Sequence, residues 1–169
     1  MHGWMRSPQI YSSREEFKMS FIDHLHKEFK IVEDTELEPG HEKRLEQIYS
    51  ILTMNLPSEC KFILENYAWL TLELKHRYGY EITIALSGTR SFLVDLITMQ
   101  ERGIEITGNF IPIGNDIGDL WYVYGMGNEG LGLYLTESSI LHKNDYIKLA
   151  DSISDFFCKG IGIEKLKDS

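Results

Sequence analysis

Between Gly103 and His142 the sequence has no lysine or arginine, yet Glu105, Asp116, Asp119, Glu129 and Glu137 all fall in that window. Over the whole chain the imbalance amounts to a formal net charge of −9. That sign argues against a general nucleic-acid binder, which needs cations to neutralise phosphate. It suits a soluble cytoplasmic protein, or one with a basic partner. Cysteine is scarce: Cys60 and Cys158 are the two, and neither belongs to a C-x-x-C pair. Two free thiols in a reducing compartment are expected, and no disulfide is indicated. No apolar run approaches the roughly 18 residues of a membrane span, and the N-terminus lacks the apolar stretch of a signal peptide. The six histidines are scattered without metal-ligand spacing; His24 and His26, two apart, fall on different faces of a helix. No G-x-S-x-G string is present, and no Ser–His–Asp set is suggested. These absences leave no catalytic, metal or cofactor signature, and the enzyme reading is weak.

What is present is an ordinary globular composition, with 43% hydrophobic and 25% charged residues over 169, enough for one domain with a sizeable core. Residues 1–12 read as a flexible tail, 13–160 as a single domain and 161–169 as a short charged C-terminal tail. Ser13-Arg14-Glu15-Glu16 fits a capping box, opening a helix that carries Phe17, Phe21, Ile22, Leu25 and Phe29. Ile31 to Pro39 is acidic and turn-like. A second helix from Pro39-Gly40-His41 carries Leu45, Ile48, Tyr49, Ile51 and Leu52, and a third opens at Leu56-Pro57 with Ser58 as its cap. Leu70 to Lys75 alternates like a half-buried strand, and Arg77-Tyr78-Gly79 turns it into a second strand, Tyr80 to Leu86. Phe92, Leu93, Leu96, Ile97 and Met99 read as a helix closed by Gly103. A last helix spans Asn144 to Lys159, burying Tyr146, Leu149, Ala150, Ile153 and Phe157, and stops at Gly160. The class is therefore α+β: N-terminal helices, a central mainly antiparallel sheet with helices on one face, and a C-terminal helix packed on it.

The most sheet-like stretch, Phe110 to Leu135, holds the candidate chemistry. Gly125-Met126-Gly127-Asn128-Glu129-Gly130 matches G-x-G-x-x-G, but a phosphate-binding loop needs a helix after it, and Leu131 to Leu135 reads as a strand. A hairpin or bulged loop is the expectation. Asp116 and Asp119 could pair for acid–base or metal chemistry, although Asn115-Asp116 and Gly118-Asp119 are also ordinary turn residues. Alternation sets Leu120, Tyr122 and Tyr124 against Trp121 and Val123. Trp121 is then either an aromatic anchor beside carboxylates on an open face or part of a covered core.

Several strings, in order, resemble the SUKH superfamily, the Smi/Knr-type domain widespread among bacterial immunity proteins. They are Leu56-Pro57 with Phe62-Ile63, then Phe110-Ile111-Pro112-Ile113-Gly114-Asn115-Asp116 and Gly118-Asp119-Leu120, then Lys148-Leu149-Ala150-Asp151-Ser152-Ile153-Ser154-Asp155-Phe156-Phe157. The resemblance spans Leu56 to Phe157. The loop Tyr124-Gly125-Met126-Gly127 departs from the family pattern and leaves the subgroup open. The resemblance implies an α+β fold, no enzymatic activity, and an antitoxin role: binding and blocking a cognate protein toxin, often a nuclease or deaminase. A toxin that holds phosphate is basic, so the contacts expected on this chain are Asp116, Asp119, Trp121, Glu129 and Glu137. The resemblance also admits a regulatory scaffold or peptide-binding module.

Overall fold

The computed structural model describes residues 21–52, 55–101, 110–137 and 146–168. Their elements are β1 (Phe29–Glu36), α1 (His41–Ile51), α2 (Ser58–Asn66), β2 (Tyr67–Lys75), β3 (Glu81–Leu86), α3 (Phe92–Glu101), β4 (Phe110–Asn115), β5 (Leu120–Gly127), β6 (Gly130–Glu137), β7 (Ile147–Ala150), α4 (Ile153–Phe157) and α5 (Ile163–Lys167). The seven strands form one sheet in chain order, and every neighbouring pair is antiparallel. The mixed helix-and-strand class and the antiparallel sheet are as expected.

Several sequence readings fail. Three helices do not precede the sheet, because Phe29–Glu36 is a strand paired with β2 through Phe29↔Leu74 and Lys30↔Glu73. Phe29, assigned to a helical stripe, packs at 5.5 and 5.3 Å from the Phe156 and Phe157 rings, and its exposed acidic continuation resembles a turn in composition. The long C-terminal helix is instead strand β7 followed by the five-residue α4. Its apolar residues suit either period, and Ser152 Oγ, accepting from Asp155 N at 3.0 Å, caps a helix that starts nine residues late, at Ile153. The tail after Gly160 carries α5, which buries Ile163 and Leu166. The caps assigned to Ser13 and Gly103 lie outside the described residues, as does Glu105. Ser58 is the first residue of α2 rather than its cap, and no side chain caps that helix.

Alternation along β5 explains the two-sided burial. Tyr122 joins a core with Leu70, Leu72, Leu74, Leu133, Phe62, Phe156, Phe157, Ile163 and Leu166. Trp121 and Val123, on the opposite face, join Met99 of α3, Phe110, Tyr134 and Tyr146. Helices thus lie on both faces, not one, and β2 is buried nearly throughout rather than half-buried. Glu59 of α2 fastens α4, its Oε2 accepting from Ser154 N at 3.2 Å and Oγ at 2.6 Å. Arg77, on the β2–β3 turn, pairs with Asp168 after α5 at 2.6 Å. Cys60 and Cys158 are free thiols, both pushed up in pKa chiefly by burial.

Candidate functional site

The five residues expected to contact a partner do not form one patch. Asp116 and Asp119 sit in the β4–β5 turn, and Glu137, opposite Leu120, ends β6 beside them. Glu129 lies in the β5–β6 turn at the far end of β5, roughly 23 Å away at the usual rise per residue. There Lys148 of β7 donates to the Glu129 carbonyl at 2.8 Å, so the window without cations is crossed by a cation from elsewhere in the chain. Trp121 is 3% exposed and sits in the second core, so it is not a surface anchor. Asp119, Glu129 and Glu137 are exposed and Asp116 is half-buried.

Asp116 works as a turn residue. Its Oδ1 accepts from Gly118 N at 2.8 Å and Leu120 N at 3.2 Å, and Asn115 Oδ1 accepts from Ile117 N at 2.8 Å. The glycine-rich string is a hairpin, as expected, with Gly127 paired to Gly130 and Asn128-Glu129 between them. Gly130 has φ +89, and a Cβ at Gly127 would meet the Tyr134 ring at 2.5 Å. The Tyr134 hydroxyl accepts from Glu129 N at 3.1 Å and donates to Gly130 O at 2.7 Å, closing the turn. The backbone groups of this loop are spent on the hairpin, and no helix follows for a phosphate.

A cavity of about 360 Å3 opens at the β4–β5 end, between the start of α3 and the sheet. Its walls include Trp69 of β2, Ser91 and Asp95 at the start of α3, and Asn115. The segment carrying Arg90 and Ser91 is held against β2: Thr89 N and Oγ1 both donate to Tyr67 O, and Arg90 N donates to Ala68 O. Gly88 permits this approach, since a Cβ there would lie 2.6 Å from Ala68 O. Asp95 is 8% exposed; its Oδ2 accepts from Ser87 Oγ at 2.6 Å and its Oδ1 from Asn115 Nδ2 at 3.5 Å. Burial pushes its carboxyl up to about 6, against the opposing pull of the Ser87 hydroxyl. Ser91 Oγ is buried with no hydrogen-bond partner among the described residues. Arg90, on the rim, is already forked onto Glu38, Nε to Oε1 at 3.2 Å and Nη2 to Oε2 at 3.0 Å.

Around the mouth, Val94 is 60% and Ile117 70% exposed, and Ile97 continues the apolar strip on α3. Exposed aliphatics around a recessed polar floor, rimmed by carboxylates, have the makeup of a protein-contact surface. A second cavity of about 350 Å3, between α1 and α2, is lined by Tyr49 and Glu65, which bond to one another at 3.1 Å. Neither Asp95 nor Ser91 was singled out in the sequence. The available signal was a lone carboxylate inside the apolar run Phe92-Leu93-Val94-Asp95-Leu96-Ile97, on the helix face that buries Phe92, Leu96 and Met99. Among the described residues no group of three or more His, Cys, Asp or Glu could hold a metal, and no helix is long and apolar enough to cross a membrane.

No family model matches the chain, and no curated protein matches it. The likeness to the SUKH superfamily therefore rests on the residue strings quoted above.

Proposed function

We propose that this domain is a non-enzymatic cytoplasmic immunity protein that neutralises a cognate bacterial toxin, a nuclease or deaminase with a basic surface, by direct stoichiometric binding. The contact surface in this reading is the β4–β5 end of the sheet. The observation that carries it is the conjunction there of exposed Val94, Ile97 and Ile117 with Asp116, Asp119 and Glu137. Apolar contact supplies affinity and like-signed carboxylates supply steering toward a basic partner. Glu129 and Trp121 leave the contact set, the first by distance and the second by burial.

The reading expects a toxin gene beside this chain's gene, and the test is co-expression with that toxin. The unaltered protein restores growth. Asp119→Lys with Glu137→Lys weakens binding and reduces its salt sensitivity, while Glu129→Lys leaves both unchanged. Full protection and unchanged affinity in the double variant would remove this surface from the proposal. One observation favours the alternative of a peptide-binding scaffold: among the described residues β1 and β7 are the outer strands, and on β1 Ile31 and Val32 are 36% and 42% exposed. Such an edge accepts an added peptide strand. Competition by a partner peptide that protects β1 amides from exchange would select that reading.

A further inference from the structure

The cavity at the start of α3 has features that its structural duties do not use. Ser87 and Asn115 engage Asp95 and so tie α3 to the ends of β3 and β4. A neutral amide of the same shape would keep the short bond from Ser87 and give up the long contact with Asn115, without the cost of a desolvated carboxylate. Asp95 Oδ1 has only the long 3.5 Å contact, and Ser91 Oγ has none among the described residues. Asp95 and Ser91 thus line a space walled on another side by the half-buried indole of Trp69.

Charge at the mouth decides what could enter. Arg90 and Arg44 share the Glu38 carboxylate, Arg44 at 3.3 Å, so Glu38 alone offsets one of the two cations. Glu33 adds a further negative field at Arg90, and Asp116 follows Asn115 directly. Asp95 is left as the uncompensated charge at the floor. An anion entering here meets that carboxylate; a cation is drawn in and supplies it with a counter-charge. A planar guanidinium also presents a fork of donors to a carboxylate and stacks on an indole face.

Resting on the reading of this end as a protein-binding face, we propose that the cavity receives an arginine side chain of the partner. Asp95 is its counter-charge and Trp69 its stacking wall. The apolar strip of Val94, Ile97 and Ile117 excludes water around the seated guanidinium, which makes it the anchor of the interface.

The probe is N-acetyl-arginine amide, titrated into the full-length protein and followed by chemical shifts of the Trp69 indole N–H and the Asn115 side-chain amide. Saturable shifts are expected, and none with the neutral citrulline amide of matching shape. Asp95→Asn, checked for folding by thermal unfolding, weakens the probe roughly tenfold or more. Trp69→Leu weakens it roughly threefold or more and carries the test if Asp95→Asn does not fold. Equal response to citrulline amide, absence of saturation, or unchanged affinity in a folded Asp95→Asn variant would overturn the inference. Toxin protection that survives Asp95→Asn sinks the cavity and leaves the binding surface standing. Saturable arginine binding without any toxin neutralised does the reverse.

Discussion

The two ends of the β5–β6 hairpin begin from similar sequence, Asp and Asn among glycines, and finish with different roles. At the β5–β6 turn the protein consumes its own polar groups. Tyr134 bonds the backbone on both sides of the turn, Gly127 makes room for its ring, and Lys148 takes the Glu129 carbonyl. At the β4–β5 end the turn is closed by Asp116 and Asn115, but the ground beside it stays open: an exposed aliphatic strip, a cavity, and a buried carboxylate with acceptor capacity to spare. Acidity alone does not mark a binding surface; what matters is whether the neighbouring groups are already satisfied.

Variants at the two ends sharpen that contrast. The largest effect is expected at the closed end. Tyr134→Ala removes a fully buried ring and both turn hydrogen bonds, costing about 3–5 kcal/mol in urea unfolding. A loss of less than about 1 kcal/mol would show that the turn closes without it.

At the open end Asp95→Asn acts through pH. The folded-state carboxyl is raised to about 6 from an ordinary 3.8, so folding favours its protonated form. The stability it contributes is complete below about pH 4 and is lost as the pH rises through about 6, a change of about 3 kcal/mol. Asn, which keeps the shape and can accept from Ser87, flattens that dependence and leaves the variant more stable than the parent at pH 7. Denaturant midpoints at pH 4 and pH 7 measure it, and parallel pH curves for parent and variant would remove Asp95 as the titrating group.

Smaller again is Asp116→Ala. Two backbone N–H groups lose their acceptor in a half-exposed turn, for about 1 kcal/mol by thermal unfolding. No change would mean that water replaces the carboxylate there without cost. Smallest is Glu129→Lys, within about 0.5 kcal/mol of the parent, since the side chain is exposed and Lys148 holds its carbonyl rather than its carboxylate. A larger loss would show that the Glu129 carboxylate matters to the closed end.

Much of the fold was legible because it is local. Alternation and Arg77-Tyr78-Gly79 fixed the β2–β3 hairpin, and the glycines with Asn128-Glu129 fixed the β5–β6 turn. Helix α1 follows from its spacing, although Ile51 is 55% exposed. The errors came where composition is ambiguous between periods. Lys30 to Glu36 is charged enough to pass for a loop and becomes a strand only by pairing with β2. Ile147–Ala150 carries a helical stripe and becomes a strand only beside β6.

The sequence by itself determined the class and the antiparallel hairpins and made turn roles the expectation for Asp116 and the Gly125–Gly130 string, because each rests on backbone geometry within a few residues. It left Trp121 open between anchor and core, and it left Asp95 unnoticed inside an apolar helix. Only the tertiary structure decided those two. α3 and Tyr146 bury Trp121 from residues distant in the chain. Ser87 and Asn115 meet Asp95, and Trp69 lines the same cavity, because three strand ends and one helix start converge there. Burial and charge environment are sums over such non-local neighbours, and no window of adjacent residues contains them.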